Sequence, residues 1–463
     1  MLITFTLAIL IALLFGHYFF HAVGLRVESL LLHICLSMGV GLGIVAILHF
    51  VITFFTTSQL SVILTEGICC LLLIGFGQFG GNHPSGVSIK SLRFSISGRG
   101  IRWTNVLTFV LALISLLILG TFVIVSLQNP HGGWDAWSIW NQRARFLYRS
   151  GLGWQLSYAA QNSWSHPDYP FFLPITIVRI WRFMGAETTL VPVFLSLLFF
   201  FLTTITIHTS LTLFRGKFWG VVGTLLLIGS PGFILQGTSQ YADIPLSFYF
   251  LLTWFFLALC TQRETAVPWA LVGISTGLST LVKNEGLLFA PLFFAAFFTF
   301  IWLKRSYTPR NMVIALLVGF MAIFAFVIYF KLSLAPQNDL IAENNTTSIL
   351  QSLGNPSRYA LVGRSFLESA TNLFNVPLFV FPLLWFLFGI DTQRFKQPVI
   401  GIALLTLVFM IIGYFFVYIT TPYDLEWHLK TSLSRLFIQL WPSLVFISIM
   451  MVPEMKWDDT SSS

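Results

Sequence analysis

Apolar residues run along the chain in unbroken stretches of roughly 16 to 26 positions, each closed by a short polar break. About 20 such residues are enough to cross a bilayer as a helix. The pattern predicts spans near 2–22, 29–55, 59–77, 104–127, 188–213, 218–234, 244–260, 268–282, 286–303, 311–333, 374–390, 398–420 and 436–452. The expected fold class is an all-α integral membrane protein of about 13 transmembrane helices, with interfacial helices in its long polar loops. No Lys or Arg precedes the first run, so it reads as a retained span rather than a cleavable signal.

Composition agrees with the pattern. Of 463 residues, 56% are hydrophobic and 9% are charged, against about 25% charged in a soluble domain. Too little polar surface remains to face water, which excludes a soluble domain, intrinsic disorder, a coiled coil and a secreted disulfide scaffold. Cys35, Cys69, Cys70 and Cys260 sit in or at the end of apolar runs, where a thiol behaves as a small hydrophobe. Neither a disulfide nor a metal site is expected from them. The formal charge of +8 follows from topology and calls for no nucleic acid.

Cytoplasmic loops retain Lys and Arg, and the acid-free loop of Lys90, Arg93, Arg99 and Arg102 is therefore placed inside. That choice puts Arg215/Lys217, Arg263, Lys304/Arg305/Arg310, Arg394/Lys396 and Lys456 inside too. The outside then receives every unusual polar segment: a loop over 128–187, SQYADIP, LVKNEG, a loop over 334–373 and the stretch 420–435. Function in polytopic proteins gathers where polar groups recur at membrane depth. An enzyme facing the periplasm or a lumen is expected.

Asp135, beside Trp134, stands where a helix N-cap would stand, ahead of Trp137, Trp140, Ala144 and Leu147 at helical spacing. Such a helix, with Trp on its apolar face and Arg143, Arg145 and Arg149 elsewhere, belongs in the headgroup layer. Asp135 is then either a cap or a carboxylate that activates a hydroxyl nucleophile. In HPDYPFFLP, Pro167, Pro170 and Pro174 forbid regular helix until the last of them and present His166, Asp168 and Tyr169 on a stiff stretch. Asp243 opens a span just before Pro245 and could cap it. Lys283 and Glu285 interrupt two apolar runs with no room for a loop, so both must be paired or line a polar cavity. His428, Lys430 and Arg435 lie at the outer boundary against the orientation rule, and an anionic lipid phosphate is one reason for them. Gly273 and Gly277 form a GxxxG pair suited to close helix approach.

Together these elements resemble the GT-C membrane glycosyltransferases, nearest to the protein O-mannosyltransferase and lipid A aminoarabinose transferase type. Asp135 matches that family's first-loop catalytic carboxylate and Asp243, in YADIPL, its second acidic residue. Lys283 in LVKNEG and Arg435 in SRLFIQLWP are similar to its terminal basic elements, though Leu436 stands where Tyr is usual. HPDYPFFLP resembles its proline element, with Asp168 and Tyr169 intervening. The likeness covers roughly residues 104–452 as a core, with 1–103 as added amino-terminal helices and 453–463 as a cytoplasmic tail.

The resemblance implies transfer of a sugar from a polyprenyl-phosphate donor to a glycan, lipid or protein acceptor. It places the reaction outside the membrane, in a bacterium on the periplasmic face of the inner membrane. Asp135 and Asp243 would be the catalytic carboxylates, and Lys283, Arg435 and His428 would hold the donor phosphate. His166, Asp168, Tyr169, Trp134 and Glu285 would form the pocket. No cofactor and no metal are expected, and no nucleotide-binding motif occurs. A transporter or flippase of lipid-linked sugar, or a non-catalytic assembly subunit, would share the hydropathy.

Overall fold

The computed structural model describes residues 1–80, 87–89, 98–261, 265–304 and 308–454, and most of these are helical. Three helices, α1 (Leu2–Ala22), α2 (Leu30–Ile52) and α3 (Gln59–Gly80), pack together at the amino-terminal end. Leu25–Val27 pairs in parallel with Val87–Ile89, a strand contact of three residues a side. α4 (Gly98–Gln128) follows, and beyond it the first long loop carries α5 (Asn141–Arg149) and α6 (Phe172–Met184). The central bundle comprises α7 (Leu190–Arg215), α8 (Lys217–Ile228), α9 (Pro231–Thr238), α10 (Asp243–Cys260), α11 (Ala266–Val282), α12 (Asn284–Lys304) and α13 (Arg310–Ser333). α14 (Asp339–Ala342), α15 (Thr346–Leu353) and α16 (Pro356–Thr371) fill the second long loop, before α17 (Val380–Phe388), α18 (Pro398–Thr420) and α19 (Leu425–Met450).

Ten of these helices are long and apolar enough to cross a membrane, or 11 if α8 and α9 form one broken span. The protein is a multi-pass membrane protein. α10 is apolar nearly all round and 94% of its span is buried, so it is the axis of the bundle, whereas only 11% of the apolar window within Thr104–Gln128 of α4 is buried. Lipid tails are as apolar as leucine, so close packing rather than water exclusion joins the helices. At the GxxxG pair a Cβ on Gly273 would lie 2.0 Å from the Leu316 carbonyl oxygen of α13, closer than any side chain tolerates.

Four predicted spans come out differently, and one of them, 268–282, is the 17-residue α11, shorter than the ten full-length spans. The run 218–234 breaks at Ser230, where Pro231 opens a new helix and the axis bends by 70°. The run 374–390 yields only nine helical residues, because Pro377 and Pro382 confine helix to the residues after Phe379. It still follows α19 along its length: Asn375 donates to the Ser434 carbonyl and Trp385 to that of Ser448. Ser230 donates to the Asn375 carbonyl and Gly232 N–H to that of Phe374, so the two irregular stretches satisfy each other. Finally, the run 436–452 starts earlier, at Leu425, with the Asp424 side chain accepting from Trp427 N–H as cap.

The bundle has two chemically distinct ends. At one, Arg215 donates to the carbonyls of Val452 and Pro453, and Arg394 pairs with Asp391 and Glu454. At the other lie both long loops and the start of α10. Lys90, Arg93, Arg263, Arg305 and Lys456, which contribute to the expected orientation, lie outside the described residues.

Candidate functional site

Four separate parts of the chain bring charge to one place at the loop end. Asp243 is the first residue of α10. Lys283 sits in extended conformation between α11 and α12, the short interruption that its sequence required. Arg435 reaches the same point because α19 begins ten residues earlier than its position, at Leu425. Asp135 arrives from the first loop, where Gly133 N–H bonds to the Ser239 carbonyl beside α10.

Arg435 is the bridge. Its Nη2 lies 2.7 Å from Asp135 Oδ2 and 2.9 Å from Asp243 Oδ2, and its guanidinium covers the Tyr241 ring at 4.6 Å. Lys283 Nζ lies 3.0 Å from Asp243 Oδ1 and 2.7 Å from Glu285 Oε1. Gln439, one turn beyond Arg435, donates to both Asp243 and Glu285. Three carboxylates thus surround two cations, a formal excess of one negative charge. Asp243 is fully buried with both oxygens engaged, which suits a counter-ion, while Asp135 keeps 17% exposure. Neither side chain caps a helix: Asp135 holds the cap position of the Ala136–Trp140 turn without a side-chain capping bond, and Ala242 holds that position at α10. Glu285 has its second oxygen buried and without a partner.

A second cluster adjoins through Asn284. Asp168 Oδ2 accepts from Asn284 and from Asn338, at 2.6 and 2.7 Å, and Lys331 Nζ bonds to the Asp168 carbonyl and the Asn284 side chain. His166 Nδ1 lies 3.1 Å from Asp339 Oδ2, which also accepts from the Tyr423 hydroxyl at 2.6 Å. Burial works to raise the Asp339 carboxyl, but these bonds outweigh it and hold it down to about 2. Ligand atoms of His166, Asp168 and Asp339 lie within 4.8 Å of one another, near enough to share a cation. The amide donors on Asp168 Oδ2 and the nearby ammonium of Lys331 compete with any such ion. Tyr169 stacks between Trp140 and His166, and its ring lies 6.0 Å from Lys283 Nζ, so it joins the two clusters.

Among the described residues, the two non-glycine residues with positive φ, His166 and Gln240, both flank this region. Such conformations persist where surrounding contacts enforce them, and they gather at functional sites.

Some expected residues fall elsewhere. Trp134 is 67% exposed and meets the less exposed Trp137 edge to face, while Arg143 is buried. A π-helical turn over Ala136–Trp140 shifts the register, so Trp137 and Trp140 no longer share a face. His428 bonds to Thr421 and packs on Tyr418 and Tyr423, with no bond to the ionic cluster. Pro174 lies in the first turn of α6, which begins at Phe172 rather than after the proline. α6 is almost wholly buried, and its Arg179 pairs at 2.8 Å with Glu66, itself bonded to His49, while Arg182 reaches the other side of that ring. The sequence signal for this was a lone Glu in an apolar span, which must find a partner.

Comparison with models of protein families, with curated proteins and with solved structures gives no match. The class that fold and site define is a polytopic membrane protein with an ionic cluster at one end of its bundle.

Proposed function

We propose that the protein is a membrane glycosyltransferase that moves a sugar from a polyprenyl-phosphate donor to a hydroxyl acceptor on the non-cytoplasmic face, in a bacterial inner membrane the periplasmic one. The observation that carries this reading is Arg435 shared between a buried carboxylate, Asp243, and a partly open one, Asp135. Asp243, Lys283 and Gln439 fix the guanidinium. A donor phosphate entering beside Arg435 competes with Asp135 for it, and Asp135 Oδ2 is released as phosphate takes its place. The acceptor oxygen then attacks the anomeric carbon and the bond from that carbon to the phosphate oxygen breaks. Asp135 takes the hydroxyl proton, the phosphate leaves on its lipid held by Arg435 and Lys283, and the anomeric centre inverts. Glu285 keeps Lys283 oriented, and His166, Asp168 and Tyr169 form the wall. The reading also agrees with the GT-C resemblance of the same four residues.

The test is release of undecaprenyl phosphate from a sugar-labelled donor in proteoliposomes. Asp135→Asn is expected to insert and fold normally and to lose at least about 100-fold in rate, the usual worth of a positioned acid–base group. Turnover at the wild-type rate by that variant refutes the assignment. A carrier of lipid-linked sugar is a second reading, favoured by the broken α8–α9 span. It requires Asp243 to be reachable from the Arg215 end of the bundle.

A further inference from the structure

A polar cavity of about 330 Å³ opens in the second long loop, between α15, the start of α16 and the Thr421–Pro422 turn that leads into α19. Its volume lies in the range of small-molecule sites, about 300–1,000 Å³. Its lining does not match the usual apolar kind. Eight of its nine lining residues are polar, Pro422 being the exception, and no aromatic or aliphatic side chain is among them.

The state of these side chains narrows the ligand. Arg358 is largely engaged: its Nε and Nη2 donate to the carbonyls of Tyr418, Ile419 and Thr421, at 3.2, 2.8 and 3.0 Å. It therefore braces the wall with only Nη1 left to meet a ligand, and Glu343, also lining the cavity, balances its charge. Asn344 is likewise held, donating to the carbonyls of Leu340 and Thr420. The frame is rigid, since Asn345 and Ser348 form a reciprocal capping box on α15 and Asn355 caps α16. Within that frame Gln351 is exposed and Ser352 partly so. Together with Glu343 they offer neutral donors and acceptors at several angles, and a ligand rich in hydroxyl groups answers such a lining. A lipid tail finds little apolar surface there, and a phosphate finds a single, mostly engaged cation offset by a carboxylate.

The cavity wall is bonded to His428 and adjoins the second cluster. Thr421, in that wall, bonds to His428 at 2.9 Å, and Tyr423 bonds to Asp339 of the second cluster. His428 and Arg435 lie two turns apart on α19, about 10 Å along its axis. That is a separation a chain of two or three sugar rings spans.

We propose that this cavity binds the acceptor, and that the acceptor is a neutral, polyhydroxylated glycan whose next residue lies toward Asp135. The inference builds on the transfer reading above and names the substrate class of its second site. Without a ring to stack on, affinity comes from hydrogen bonds alone, and a dissociation constant on the order of 1 mM is expected.

The test needs no turnover. Saturation-transfer NMR on the full protein in nanodiscs, with maltotriose, cellotriose, chitotriose and mannotriose as probes and glucose 6-phosphate as the anionic comparison, reads binding directly. At least one neutral trisaccharide is expected to bind, glucose 6-phosphate is not, and Ser352→Trp, which fills the cavity, is expected to abolish the signal. Gln351→Ala, at an exposed position, is expected to weaken binding about fivefold, the worth of one hydrogen bond. Saccharide binding is read without donor, so loss of turnover in Asp135→Asn and loss of saccharide binding in the cavity variants are separable results. Absence of binding by all four trisaccharides, preference for the phosphorylated sugar, or binding unchanged by both cavity variants overturns the proposal.

Discussion

Replacing Asp243 by asparagine removes one negative charge from between two cations at the most buried point of the pocket. The carboxylate accepts from Lys283 at 3.0 Å, from Arg435 Nε and Nη2 at 3.2 and 2.9 Å, and from Gln439. Asparagine preserves one oxygen, so its amide N–H groups must face either Arg435 or the Lys283–Gln439 pair, donor against donor. Removing one partner of a buried ion pair costs about 3–5 kcal/mol. Asp135 and Glu285 remain as counter-charges, each 2.7 Å from its cation, so the expected loss lies near the lower end, about 3 kcal/mol. That is a large part of a total stability of about 5–15 kcal/mol. The assay is SDS-induced unfolding in bicelles followed by circular dichroism, for Asp243→Asn, Arg435→Gln and the double variant. The two changes share one contact, so they are expected to be non-additive by about 1.5–3 kcal/mol, the worth of a hydrogen bond to a charged group. A single-variant loss below about 1 kcal/mol, or additivity within about 0.5 kcal/mol, refutes Asp243 as the keystone.

Two further outcomes rest on the packing and on the second cluster. Gly273→Ala drives a Cβ to 2.0 Å from a backbone oxygen of α13 and is expected to cost about 1–3 kcal/mol in the same unfolding assay, whereas Gly363→Ala, mid-helix with nothing within 4 Å, is expected to stabilise by about 0.5–1 kcal/mol. Asp339 is held below its usual 3.8 at about 2, so its stabilising bonds to His166 and Tyr423 are fully present above pH 3.8 and are lost as pH falls through about 2. Hydrogen exchange in residues 339–342 is expected to rise in that window and, in Asp339→Asn, to be raised already at pH 5; a variant protected like wild type at pH 5 contradicts the contact.

Hydropathy makes the membrane class legible, because a run such as 311–333 has no other use in a chain this poor in charge. Span ends are legible where polar residues close them, as at Arg215 and Lys304. They are not where proline sets the conformation: Pro231 and Pro377 stand at breaks inside runs that hydropathy alone reads as continuous, and Pro382 sits in the first turn of the short α17. The candidate site is legible as separate charged breaks at one end, and Asp135, Asp243, Lys283 and Arg435 do meet. Their partners are hidden for a physical reason. Gln439 lies inside an apolar run, Lys331 at the end of another, and Asn338 and Asp339 in a loop whose folding depends on contacts distant in sequence. Trp137 leaves the expected face because a π-helical turn replaces the α-helical period there. Arg179 and Arg182 are not legible because α6 lies in a stretch that reads as loop, and its burial follows from neighbours in α1, α2 and α7.

The central claim is that Arg435 passes from Asp135 to a lipid phosphate. The most direct measurement is native mass spectrometry of the purified protein with undecaprenyl phosphate and, separately, with undecaprenol. Wild type is expected to retain the phosphate lipid, and Arg435→Gln to bind it at least about tenfold more weakly while binding undecaprenol as wild type does. Equal retention of undecaprenyl phosphate by both proteins contradicts the claim.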